Sequence, residues 1–119
     1  MKYKIAVAST DGKVVNQHFG RAEVFYIVAA DSRDMTFTYE ESRKTVPLCK
    51  GQEHDETQLK ALAVLLEDCD YVLVSRIGVG AGAVLKQNHI EAFELPGYIE
   101  DSIRRLLTYT EVRKLLNEA

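Results

Sequence analysis

The chain has no tryptophan, two prolines and only two cysteines in 119 residues. A small scaffold stapled by several disulfides is thereby excluded, and both thiols are expected to stay reduced. Long hydrophobic runs are missing too. The longest, such as the ALAVLL of residues 61–66, fall far short of the ~20 residues that cross a bilayer. The opening MKYKIAVAST is too brief an apolar run for a secretory signal, so a cytoplasmic protein without a membrane segment is expected. Excess positive charge is absent as well. With 15 basic and 18 acidic residues the formal net charge is -3, and no overall basic field gathers nucleic-acid phosphates. Neither KIAVAS (4–9) nor YVLVS (71–75) carries a carboxylate, which argues against a two-metal nuclease. No G-x-S-x-G elbow presents a nucleophilic serine.

What is present describes one domain over residues 1–119. Apolar residues make up 46% and charged residues 28%, ordinary proportions for a globular chain, and at this length folding buries roughly two thirds of the unfolded surface. KYKIAVAS (2–9) and EVFYIVAAD (23–31) read as strands; MTFTYEES (35–42) alternates Met35, Phe37 and Tyr39 with polar residues, as a strand with one wet face does. HDETQLKALAVLLEDC (54–69) predicts a helix, with Asp55 as N-cap and Leu59, Leu62, Ala63 and Leu66 on one face. There follow a strand at 70–75, a helix at 82–89, a strand at 90–95 and a final helical region from Tyr98, whose apolar stripe is Ile99, Ile103, Leu106 and Leu107, extended by Leu115 and Leu116. The turn before the last strand reads Asn88-His89, with Asn88 as the residue tolerating a left-handed C-cap and His89 as a turn residue. Cys69 reads as a small buried hydrophobe.

The predicted fold is an α/β mixed five-stranded sheet, three antiparallel strands followed by a βαβ unit, with helices on its faces. A strand at the margin of such a sheet leaves homo-oligomer formation open. Strand directions place the loops after strands 1, 3 and 4 on one edge, where ligands bind in open α/β sheets. Those loops hold His18, Arg21, Cys49, Lys50, His54, Arg76 and the glycines Gly78, Gly80 and Gly82. Thiolate and imidazole from Cys49 and His54 suit a metal or an iron–sulfur cluster, and His18 from another loop raises the ligand count to three. A shielded Cys49 thiol, a surface His54 beside a helix start and a His18 packed against Phe19 account for the same residues without a ligand. The glycine turn SRIGVGAGAVL leads from a strand into a helix and offers amides to an anion, although it matches neither the Walker A nor the dinucleotide fingerprint. Close packing of strand, turn and helix is the alternative.

Several short motifs in order, VNQHFGRAEVFYIV, CKGQEH, CDYVLVSRIGVGAGAVL and IEAFELPGYIEDSI, resemble the dinitrogenase iron-molybdenum-cofactor-binding family, which includes NifX-type accessory proteins and the cluster-carrying tail of NifB proteins. The resemblance runs from about residue 3 to 107. It implies a ribonuclease-H-like fold and a non-catalytic carrier of an iron–sulfur or iron–molybdenum-type cluster, acting in nitrogen fixation or a related role between cluster donor and acceptor proteins. It maps H-F-G-R-A onto His18, Phe19, Gly20, Arg21 and Ala22, C-x-G-x-x-H onto Cys49, Gly51 and His54, and R-I-G onto Arg76, Ile77 and Gly78. The first two motifs are implied to carry the ligands, Cys49 with His54 or His18, and the third to line the pocket with Gly80. A nucleotide- or anion-binding domain built on the Gly78–Gly82 turn, and a ligand-free interaction module, are the other readings of the same residues.

Overall fold

The computed structural model describes residues 1–45 and 56–118. Seven strands and three helices occur among them: β1 (Lys2–Ala8), β2 (Val14–Val15), β3 (Val24–Asp31), β4 (Thr36–Lys44), α1 (Glu56–Leu65), β5 (Tyr71–Val74), α2 (Val79–Gln87), β6 (Glu91–Glu94), β7 (Gly97–Tyr98) and α3 (Ile99–Glu118). The main sheet has the order β4-β3-β1-β5-β6. β3 runs antiparallel to β1 and β4, whereas β5 and β6 run parallel to β1.

The central strands are buried because they face helices on both sides, and continuous apolar runs suit such strands. Ala6, Ala8, Val72 and Val74 point into a core with Leu62 and Ala63 of α1, Leu66 just after it and Leu85 of α2. Ile5, Val7, Tyr71 and Leu73 point the other way, against Ile99, Ile103, Leu106 and Leu107 of α3. The predicted stripes of α1 and α3 therefore face the sheet. Leu115 and Leu116 do not extend the stripe; they are 66% and 71% exposed, where α3 has left the core behind. Instead α3 is held at Arg113, which donates to Glu91 at 2.9 Å and to the Tyr71 hydroxyl at 3.2 Å and lies over the Tyr109 ring. No helix among the described residues is long and apolar enough to cross a membrane.

Three local predictions shift. α2 begins at Val79 with Gly78 as its N-cap, so the glycines expected in a loop form its first turn. At its other end Asn88 keeps φ -100, and His89 takes the left-handed conformation at φ 62. The amides of His89 and Ile90 bond the carbonyls of Lys86 and Leu85, the Schellman pattern that needs its left-handed residue one place later than Asn88. The third difference is the pair β2 and β7, a separate two-stranded sheet.

On the marginal strand, Arg43 of β4 binds the Asp68 carboxylate at 2.7 Å and the Leu65 carbonyl at 2.9 Å, tying the end of α1 to that strand. Hydrogen bonds from Arg43 first, and from Lys4, hold the Asp68 carboxyl well below its ordinary value of 3.8. A depressed folded-state pKa gives stability that is complete above the unfolded value and lost as pH falls through the folded one. Unfolding free energy is thus expected to drop below about pH 4, and Asp68→Asn to flatten that drop, measured by urea unfolding between pH 5 and 2. Beside it Cys69 is 4% exposed, and burial followed by the Asp68 charge pushes its thiol up to about 12. The small buried residue expected at Cys69 is what the structure contains, and the raised thiol pKa leaves it unreactive.

Candidate functional site

β1, β4, β5 and β6 run the same way, so their carboxyl ends share one edge. The long connection after β1 is built by short-range bonds. Ser9 Oγ accepts from the Asp11 and Gly12 amides, and Gly12 adopts φ +74, where a Cβ would meet the Tyr26 ring at 3.2 Å. β2 then pairs with β7, and the Ile99 amide reaches the Lys13 carbonyl at 2.9 Å, so this connection is joined to the start of α3.

The H-F-G-R-A motif forms a short 3-10 turn at Phe19–Arg21. Phe19 is 2% exposed, tilted against Phe25 with ring centroids 5.8 Å apart. It is the root of the turn in the core, not a lining residue at its surface. His18, Gly20 and Arg21 are exposed around it.

This turn is joined directly to the R-I-G turn. His18 and Arg76 form a parallel bridge, in which the Phe19 amide donates to the Arg76 carbonyl at 2.9 Å and the Ser75 amide to the Gln17 carbonyl at 3.0 Å. Two motifs more than fifty residues apart in the chain thus become neighbours. Arg21 and Arg76 are both exposed and have no ion-pair partner among the described residues.

α2 starts immediately beyond Arg76. Its N-cap Gly78 supplies no side-chain cap, and its first turn contains no acid. The amides of Val79, Gly80 and Ala81 lie among the first, intrahelically unpaired donors of a helix, where the dipole favours negative charge. Gly80 and Gly82 weaken a helix by about 1 kcal/mol each relative to alanine. Close packing does not demand them: a Cβ at Gly20, Gly78, Gly80 or Gly82 would meet no described atom within 4 Å, and none has a positive φ. No described atom lies within 4 Å of these Cβ positions at the helix start.

Cys49, Lys50, Gly51, His54 and Asp55 lie outside the described residues. The approach to them is described, because the Thr45 hydroxyl donates to the Ala22 carbonyl at 2.9 Å and the Thr45 amide to Glu23 at 3.0 Å. The chain therefore leaves β4 beside the last residue of H-F-G-R-A. Helix α1, which resumes it, packs against α2. Among the described residues no three His, Cys, Asp or Glu side chains cluster to hold a metal ion.

Thr45 and Glu94 were not legible as site residues. Glu94 at the end of β6 accepts the Ile77 amide at 2.9 Å, a contact across seventeen residues. A terminal Glu on a short strand carries no local signal for such a bond.

The family model for the dinitrogenase iron-molybdenum cofactor matches residues 1–109. The chain belongs to this family. It is 33% identical over 115 residues to the FeMo cofactor biosynthesis protein NifB of Chlorobaculum tepidum, covering 97% of the chain and 26% of that protein. With NifB of Klebsiella pneumoniae it shares 36% over 92 residues, which is 73% of the chain and 19% of the relative. The chain thus spans about a quarter or less of the length of these relatives. The crystal structure of PH0822 has the same fold, with a TM-score of 0.63, 24% identity and 88% of both chains covered. A Methanocaldococcus jannaschii protein aligns with a TM-score of 0.55 and 15% identity over 91% of this chain and 90% of that one. The match ends within α3, so the last turns of that helix, with exposed Val112, Leu115 and Leu116, lie beyond the family region.

Proposed function

We propose that this domain is a non-catalytic carrier that holds an anionic iron–sulfur or iron–molybdenum-type cluster at the carboxyl edge of its sheet during nitrogenase cofactor biosynthesis. The observation that carries the reading is the His18–Arg76 bridge, which joins the turns carrying Arg21 and Arg76, neither with an ion-pair partner among the described residues, next to a helix start with no side-chain cap. Arg21, Arg76 and the amides from Gly78 to Ala81 offset cluster charge and donate to its sulfides. Cys49 ligates through its thiolate, with His54 or His18 as imidazole ligand, and Gly51 belongs to the same C-x-G-x-x-H motif. Few protein ligands suit a carrier, since each bond to the cluster must break at transfer.

Donor and acceptor proteins of cofactor assembly in the cytoplasm are the partners in this scheme. The framework is ribonuclease-H-like, a reading supported by the order β4-β3-β1-β5-β6 with β3 as the lone antiparallel strand. Family membership and the NifB names of the relatives support the placement in cofactor biosynthesis.

The test is the composition of the protein purified without oxygen from cells assembling the cofactor. Iron and acid-labile sulfide are expected to accompany it in comparable amounts. Protein free of both, from cells whose cofactor assembly is active, would contradict a carrier role.

A further inference from the structure

The Glu94 carboxylate already occupies one of the donors that the site would offer to an anion. Its Oε2 accepts the Ile77 amide at 2.9 Å, directly beside Arg76 and one residue before the N-cap of α2. Glu94 is exposed and has no ion-pair partner among the described residues. Among the described residues, a negative charge without an ion-pair partner therefore stands on the edge that also holds Arg21 and Arg76. In this bond the turn's amide donates to an oxyanion, independently of the helix start beside it.

A brace for the Arg76 turn did not require a carboxylate. A neutral acceptor, such as the carbonyl oxygen of glutamine, bonds an amide equally well in direction and reach. What the carboxylate adds is charge of the same sign as the cargo. We propose that Glu94 is a built-in counterweight to the anion site: it fixes the Ile77 turn while lowering the affinity of the edge for metal–sulfide anions, so that cargo leaves readily. This inference rests on the carrier reading above and specifies how the same site limits its own grip.

Two like charges in a solvated setting repel modestly and are screened by salt. For a dianion such as tetrathiomolybdate, removing the Glu94 charge is expected to tighten binding about three- to six-fold at low ionic strength. The experiment titrates tetrathiomolybdate, followed by its visible absorption, into the wild-type protein, Glu94→Gln and Arg76→Ala at 20 and 300 mM salt. Glu94→Gln keeps an acceptor for the Ile77 amide and is expected to bind more tightly, with the gain shrinking at high salt; Arg76→Ala is expected to bind more weakly. If wild type binds and Arg76→Ala weakens it, but Glu94→Gln is equal to or weaker than wild type, Glu94 is only a brace and the counterweight is overturned while the site stands. If Arg76→Ala binds as wild type does, or none of the proteins binds, the anion site itself is wrong and the counterweight falls with it.

Discussion

Phe19→Ala is expected to cost about 3–5 kcal/mol of unfolding free energy, the range for emptying a buried aromatic site. A domain of this size has roughly 5–15 kcal/mol in total, so the variant should be close to unfolding at 37 °C. The size of the effect follows from the position of the ring. Phe19 is 2% exposed, touches Phe25 and shares a core with Leu62, Leu66 and Leu85 of the helical face. Its neighbours His18, Gly20 and Arg21 are all exposed. One buried side chain thus fixes a turn whose other members face solvent. Phe19→Leu retains most of the volume and is expected to cost less than about 1.5 kcal/mol. Urea unfolding of the two variants separates this account from one in which Phe19 serves as a surface contact for cargo, since such a contact predicts little loss of stability in either.

The same residue shows how far the sequence could be read. H-F-G-R-A was recognisable as a motif, and its phenylalanine was grouped with the cargo-binding residues because every member was assigned together. Burial distinguishes them. A lone Phe in a loop carries no periodic partner from which burial can be inferred, whereas Ile5 and Val7, or Val72 and Val74, belong to apolar runs that mark them as core.

The positions and directions of the main strands were legible for that reason. β1 and β5 are buried on both faces and read as continuous apolar segments, and α1 and α3 carry apolar stripes of helical spacing. β2 and β7 were not legible, since two-residue strands exist only through their pairing with each other. The start of α2 was misplaced because Gly78, Gly80 and Gly82 oppose helix formation locally, and tertiary packing of Ala81, Val84 and Leu85 prevails. His89 in the left-handed conformation is a similar override: its neighbours Leu85 and Ile90 are fully buried, and their docking sets the turn.

For the site, direction alone predicted which loops share an edge, and the bridge between His18 and Arg76 agrees with that prediction. Direction does not name the bonds that hold the edge in shape. The Thr45 hydroxyl on Ala22 and the Glu94 carboxylate on Ile77 depend on side-chain reach across separate elements, which no spacing in the chain records.

The largest functional effect belongs to Cys49. As the thiolate ligand of the proposed carrier, it is expected to supply the strongest protein bond to the cargo, while the second cysteine, Cys69, is buried in the core with its thiol pushed up to about 12. A thiolate is the ligand form, so Cys69 cannot substitute for it. In the proposed site, His54, His18 and the arginines are expected to contribute weaker bonds that do not retain a cluster alone. The measurement that tests the account most directly is anaerobic reconstitution of wild type and Cys49→Ala with iron and sulfide, followed by gel filtration and visible absorption. Broad sulfide-to-iron absorption that stays with the wild-type protein and is absent from Cys49→Ala is the predicted result; equal absorption retained by both proteins would contradict it.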